Sequence, residues 1–290
     1  MSVTTSESPQ EKAYESSRLE LNSSLIIGGT LISIVLVIAL VSFFWTPYDP
    51  NDMGEGIRLG APSMQHWIGT DKLGRDLFTQ LMIGARLAFV VAIGSTSIAA
   101  FIGISLGLLA ASTRNRYIDE AFSYFFDVLI AFPTILMAML VVTIRDASIS
   151  SAILAIGFSA SAIVSRLSRI SATSILKTDY VKAAIACGTS RPAIIFRHVL
   201  PNIYPILVVQ LMLVASSAIL AEASLAYLGL GAPPPQASWG RMLLEAQRSV
   251  MRAPWGAIVP GVMIIAIVMG LNFLGDGIRE HFDPEMRNKN

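Results

Sequence analysis

The chain has 290 residues, 53% of them apolar and 14% charged, with a mean hydropathy of +0.62. An average soluble domain carries roughly 25% charged residues, so this composition excludes a disordered chain, a coiled coil and most soluble enzymes. A net charge of +1 excludes a broadly basic nucleic-acid binder, and the single cysteine, Cys187, excludes a disulfide framework and any cysteine-based metal cluster.

The charges are unevenly placed, and their absence marks the elements. Met1–Ser24 is polar and reads as a cytoplasmic N-terminal tail. Leu25–Trp45 is 21 residues without charge and too long for a signal core, so it reads as a retained first anchor. Residues 46–86 form an extracytoplasmic segment, first rich in Pro and Gly, then helical from about Asp76. Five further runs follow within a core of residues 87–275. They are Leu87–Thr113, Ala121–Ile144 with one charge (Asp127), Ala147–Ser165, Val199–Gly229 with one charge (Glu222), and Ala253–Gly275. Crossing roughly 30 Å of hydrocarbon takes about 20 apolar helical residues. The expectation is an all-α integral membrane protein with six transmembrane helices and a cytoplasmic tail at 276–290.

An even number of spans puts both termini on one side. If that side is the cytoplasm, 13 Lys and Arg lie inside and 8 outside, which fits the positive-inside rule. Six of the inside residues lie between Arg166 and Arg197, in a cytoplasmic loop spanning 166–198. A second outer loop, Leu230–Arg252, carries the run Pro233-Pro234-Pro235, which favours polyproline geometry.

Catalytic patterns are few. No Gly-Lys dipeptide occurs, so there is no P-loop, and ATP-driven work would need another chain. Gly103-Ile104-Ser105-Leu106-Gly107 spells a nucleophile elbow. It lies inside a span, no span holds a histidine, and glycines four apart suit close helix packing. An intramembrane serine hydrolase is therefore the weaker alternative. His66, His198 and His281 are far apart and show no metal-ligand spacing. Asp127 and Glu222 each cost about 2.5–3.5 kcal/mol at a helix centre. Each is either a translocation-pathway residue or an interhelical hydrogen-bonding group.

The cytoplasmic loop has local logic of its own. Asp179 is placed to cap a short helix, and Ala183, Ala184 and Cys187 give it a small-residue face. Gly188 suits its end and Pro192 the start of the next helix. The order Ala183-Ala184, Gly188, then Leu200-Pro201 resembles the EAA loop of ABC importer permeases. Lys182 stands where Glu is usual in that family, and His198 where an aliphatic residue is usual. Three more stretches resemble the peptide/opine/nickel branch, and within it the C-type permeases of dipeptide and oligopeptide importers. They are Gly69-Thr70-Asp71-Lys72-Leu73-Gly74-Arg75-Asp76; Glu222–Gly231 with Pro234, Pro235 and Ser238-Trp239-Gly240; and Asn272–Arg279 with Asp283-Pro284.

This resemblance implies an ABC type I importer permease fold in a bacterial inner membrane. It implies a heterodimer with a B-type permease, two ATPase subunits that hold ATP and Mg, and an extracytoplasmic substrate-binding protein. No cofactor is expected on this chain, and no nucleic acid. The cargo implied is a di- or oligopeptide, with nickel chelates, opines or glutathione as alternatives. Tyr180, Lys182, Ala183, Ala184, Cys187, Gly188, Arg191 and Pro192 would couple to the ATPases. Glu222 and Asp127 are pathway candidates, and Pro234 and Trp239 candidates for docking the binding protein.

Overall fold

The computed structural model describes residues 23–50, 57–113, 116–231, 233 and 236–282. The expected N-terminal tail up to residue 22, the docking candidate Pro234, and Asp283-Pro284 with the rest of the C-terminal tail lie outside these residues. The described residues form helices in the order α1 (Ser23–Phe44), α2 (Leu77–Ser112), α3 (Arg116–Ala131), α4 (Thr134–Arg145), α5 (Ile149–Leu176) and α6 (Asp179–Ala186). They continue with α7 (Arg191–Ile194), a π-helical segment (Ile195–Val199), α8 (Leu200–Tyr227), α9 (Trp239–Ala246) and α10 (Trp255–Phe282).

Among the described residues, five helices are long and apolar enough to cross a membrane: α1, α2, α5, the continuous stretch Arg191–Tyr227, and α10. The sixth expected span, Ala121–Ile144, is not one straight rod. It is broken between Ala131 and Thr134, where α3 and α4 meet at 88°. Pro133 explains the break: it has no N–H to continue the ladder, and it drives the preceding Phe132 out of the helical region. Pro133 itself sits at φ −57°, ψ 126°, as the N-cap of α4.

Several helices also run past the charge-free stretches that announce them. Helix α2 begins ten residues before Leu87, and α5 continues eleven residues beyond Ser165 to Leu176. At 1.5 Å per residue the 36 residues of α2 span about 54 Å, well beyond the hydrocarbon. Arg86 is the first charge that interrupts its apolar stretch on the N-terminal side. Its Nε donates to Ser42 Oγ at 2.5 Å, and its guanidinium lies 4.4 Å over the Phe43 ring, level with the exposed aromatics Phe44 and Trp45 at the end of α1.

The most extensive packing joins α2 to α5, and glycines make it close. A Cβ on Gly103 would meet the Ser161 carbonyl oxygen at 2.7 Å, and one on Gly107 the Ser165 carbonyl oxygen at 2.5 Å. Ser95, Ser161, Ser165 and Ser168 are buried in the same region. Small residues on both faces let the backbones approach, which is how helices gain van der Waals contact where lipid supplies no hydrophobic drive. Helix α10 packs on α1 in the same way, with Gly28 against the Leu274 backbone and Gly270 against Leu31 and Ile32.

The candidate coupling and outer regions

The loop after α5 folds as a short exposed helix set on a buried foot. Helix α6 opens at Asp179 with Thr178 as its N-cap residue. Asp179 is not the cap expected of it; its carboxylate instead pairs with Lys182 Nζ at 2.8 Å on the exposed surface. The helix closes as sequence reasoning expects. Gly188 lies at φ +82°, Gly188 N donates to Ile185 O at 3.0 Å, and Thr189 N to Ala184 O at 3.1 Å. This is a Schellman motif, and only glycine adopts its left-handed residue without strain.

The exposed face of α6 comprises Tyr180, Lys182, Ala183, Ile185, Ala186 and Cys187, continued by Gly188. Ala184 is half-buried, so Ala183, Ala186 and Cys187 form the outward small-residue face rather than the expected Ala183, Ala184 and Cys187. No atom lies within 4 Å of a Cβ built on Gly188, so this end of the helix is open. The foot is Val181, fully buried among Leu108 of α2, Ala172 of α5, Ile194 of α7, Val199, and Ile203 and Leu207 of α8. One side chain thus seats the exposed helix in a cluster to which three spans contribute.

The chain then re-enters the bundle through an irregular helix. Pro192 sits in the first turn of α7. At Ile195–Val199 the ladder slips to the π register, with Leu200 N bonded to Ile195 O. Pro201, without an N–H, cannot close a bond on Arg197, and Pro205 lies one turn further on inside α8. Such single-turn π segments concentrate at functional sites. The His198 ring meets Tyr180 edge-on at 6.1 Å between centroids, and Arg191 Nη1 reaches the Ser112 carbonyl at the end of α2 at 3.5 Å. A cation at a helix C-terminus meets the orphan carbonyls there.

At the opposite end of α2, the stretch Gly69–Asp76 folds into a cap. Gly69 and Gly74 take positive φ, and Asp71 Oδ1 accepts from Leu73 N and Arg75 N. Asp76 Oδ2 accepts from Thr79 N at 2.7 Å as the N-cap of α2, while its other oxygen lies 3.0 Å from His66 Nδ1. Arg75 joins this cap to α9. Its Nε donates to Asp71 Oδ2 at 2.7 Å and its Nη2 to Glu245 Oε2 at 2.6 Å; Glu245 also accepts from Arg241 Nε at 3.1 Å. The partners are 170 residues apart in sequence.

Trp239 does not present itself to a docking partner. It is 2% exposed, and its indole N–H donates to the Leu81 carbonyl at 3.0 Å. The indole also fills the space above Gly84, where a Cβ would approach it to 2.5 Å. Trp239 therefore anchors α9 to α2. Glu222 is turned into the seam beneath the same helix. It is 7% exposed and lies beside the Ser238 side chain, whose oxygen accepts from Arg241 N as the N-cap of α9. Its position is that of an interhelical anchor, not of a group lining an open path.

Asp127 has the opposite surroundings. Its carboxylate on α3 lies 3.7 Å from Arg166 Nη1 on α5, and both side chains are more than half exposed. Ser105, the centre of the elbow spelling, lies mid-helix on the exposed side of α2, while its flanking glycines pack against α5. That is helix packing and not a strand–turn–helix nucleophile site. Among the described residues, no three His, Cys, Asp or Glu side chains gather to hold a metal ion. Sequence reasoning misses the Val181 foot, the Arg75–Glu245 link and the Ser238–Glu222 contact. Only the prolines at 201 and 205 signal the irregular helix in advance.

The sequence pattern of the family described as binding-protein-dependent transport system inner membrane component matches residues 103–288. The chain is 37% identical to the dipeptide transport system permease protein DppC of Alkalihalophilus pseudofirmus, over 98% of this chain and 92% of that protein. It is 35% identical to a putative peptide permease protein of Brucella suis, over 94% of this chain and 90% of that one. It is 34% identical to the glutathione transport system permease protein GsiD of Pectobacterium atrosepticum, over 90% of this chain and 87% of that one. Among solved structures, a chain of the MetNI methionine ABC transporter superposes with a TM-score of 0.61 at 18% identity, covering 70% of this chain and 97% of that one, a likeness of fold. The chain belongs to the family of binding-protein-dependent transport system inner membrane components, as a multi-pass permease subunit with the ABC type I importer fold.

Proposed function

We propose that this permease carries di- or oligopeptides inward, paired with a second permease and driven by two ATPase subunits that bind ATP and Mg. An extracytoplasmic binding protein delivers the cargo, and both termini of the chain lie in the cytoplasm. The relatives named for dipeptide and peptide transport favour this cargo. A glutathione permease among them agrees, since glutathione is itself a small peptide.

The observation that carries the coupling role is the exposed helix α6 on its buried foot. Ala183, Ala186, Cys187 and Gly188 offer a shallow surface for a groove on an ATPase, with Tyr180, Lys182, Arg191 and Pro192 around it. Force applied there passes through Val181 to α2, α5 and α8. Closure of the ATPases moves α6, and the spans rock between inward-open and outward-open arrangements. Lys182 is held on its own helix by Asp179, so coupling by this chain rests on shape more than on a charge at that position. Asp127 lies along the cargo path, while Glu222 holds the outer helix α9 in place.

Ala186→Trp tests the coupling role, because it adds bulk to the exposed face without touching the backbone at Gly188. In reconstituted importer, the expected result is ATP hydrolysis retained and peptide uptake lost at least tenfold. Normal uptake per ATP refutes the docking role of α6.

A further inference from the structure

A peptide of any sequence shares one feature with every other: an ammonium at one end and a carboxylate at the other. Asp127 and Arg166 offer the matching pair. They sit on facing helices, α3 and α5, with N···O 3.7 Å and side chains 57% and 59% exposed respectively. Asp127 lies eleven residues into α3, about 16 Å at 1.5 Å per residue. It also falls within an otherwise charge-free stretch of 24 residues. Charged groups within apolar membrane segments face a bundle interior or a water-filled cavity rather than lipid.

The pair is loose and open where a structural ion pair would be short and enclosed. The buried pairs of the outer loop close to 2.6 Å with side chains 10–15% exposed. The Asp127–Arg166 pair keeps most of its hydrogen-bonding capacity turned outward. A carboxylate has four lone-pair sites and a guanidinium five donors, so each has room for a second partner of opposite charge. Its neighbours on α3, Tyr124 and Phe125, are also exposed, and Val128 is 69% exposed. Tyr124, three residues before Asp127, shares its face of the helix and sets an aromatic surface beside the two charges. The 88° break after Ala131 opens this face, because α4 leaves the direction of α3 one turn beyond Asp127.

We propose that Asp127 and Arg166 form a cargo subsite for short zwitterionic peptides: the Asp127 carboxylate receives the peptide's N-terminal ammonium and the Arg166 guanidinium its C-terminal carboxylate. Consecutive Cα atoms are about 3.8 Å apart, so the two termini of a dipeptide reach the outer edges of both side chains together. Side chains of the cargo meet only the aromatic surface, so the subsite accepts many sequences. This inference rests on the proposed peptide cargo.

The test uses the assembled importer in proteoliposomes with alanyl-phenylalanine, its N-acetyl form and its C-terminal amide. Each is loaded directly into the lumen at millimolar concentration, so that competition with a fluorescent dipeptide for uptake is read at the permease. Asp127→Asn is expected to weaken competition by the free peptide about tenfold and to leave the N-acetyl form unchanged. Arg166→Gln is expected to do the same for the free peptide and to leave the amide unchanged. Asp127→Glu and Arg166→Lys should recover most of the loss. Equal competition by all three probes in the wild type and in both variants overturns the subsite. So does an equal loss for all three probes, which marks a structural pair. Absence of any dipeptide uptake by the wild type overturns the peptide reading itself.

Discussion

Shortening Val181 to alanine asks whether the coupling helix is moved by, and moves, the bundle through its buried foot. The side chain is fully buried among residues of α2, α5, α7 and α8. Losing two methyl groups removes about 1.6 kcal/mol of transfer free energy, and the unfilled space adds about 1 kcal/mol. A loss of about 2–3 kcal/mol corresponds to about a 30- to 150-fold shift in the docked population of α6. The assay is amide hydrogen exchange over residues 179–189 of the assembled importer, with transport and ATP hydrolysis measured on the same preparation. Exchange should rise by that factor in this segment and not along α10, and more ATP should be hydrolysed per peptide moved. Unchanged exchange and unchanged stoichiometry refute the reasoning, since the helix would then be held by something other than Val181.

Other perturbations address the remaining supports. Gly107→Leu drives a side chain into the Ser165 carbonyl and Ser168 Cβ, 2.5 and 2.6 Å from a Cβ. It should lower the thermal midpoint of the purified importer, at a cost of about 1–3 kcal/mol or more, whereas Ser105→Ala should leave both midpoint and transport unchanged. Arg75→Ala cuts the link between Asp71 and Glu245, whose side chains are 10% and 15% exposed, while Arg241 still pairs with Glu245 and backbone N–H groups with Asp71. A loss of about 1–3 kcal/mol should make the α9 region newly sensitive to limited proteolysis, and an unaltered cleavage pattern refutes the link. Ser238→Ala removes the cap of α9 and the polar neighbour of Glu222 together, and should destabilise by about 1–3 kcal/mol in thermal unfolding. Glu222→Gln should transport normally; lost uptake with normal assembly would return Glu222 to the cargo path.

The spans were legible because lipid tolerates so few charges that their absence outlines each helix. The same signal misplaces helix ends, since nothing stops a helix at the membrane surface. Arg86 interrupts hydropathy but not the hydrogen-bond ladder, so α2 continues from Asp76, and Arg166 and Arg169 likewise lie within α5. Hydropathy is equally blind to direction: Ala121–Ile144 carries no charge apart from Asp127, yet a single proline turns it through 88°. In the loops, what could be read was local. Gly188 as a helix end depends on its own φ and on bonds to residues three and five positions back. What could not be read was the partner across space.

Trp239 shows the difference. An aromatic in an outer loop near a membrane reads as a surface group, and nothing adjacent in sequence announces that Gly84 leaves a slot of its size on α2, 155 residues away. The Gly69–Asp76 stretch is similar. Its turn follows from glycines and Asx geometry, but its tie to α9 needs Arg75 and Glu245 to meet. Both long-range ties fasten α9 to the N-terminal end of α2, and Leu108 near its other end belongs to the cluster that buries Val181 of α6. The 36 residues of α2, about 54 Å, therefore run from the ties to α9 down to the cluster that buries Val181. Helices α3 and α4, turned at Pro133, pack instead against α5, where Asp127 meets Arg166.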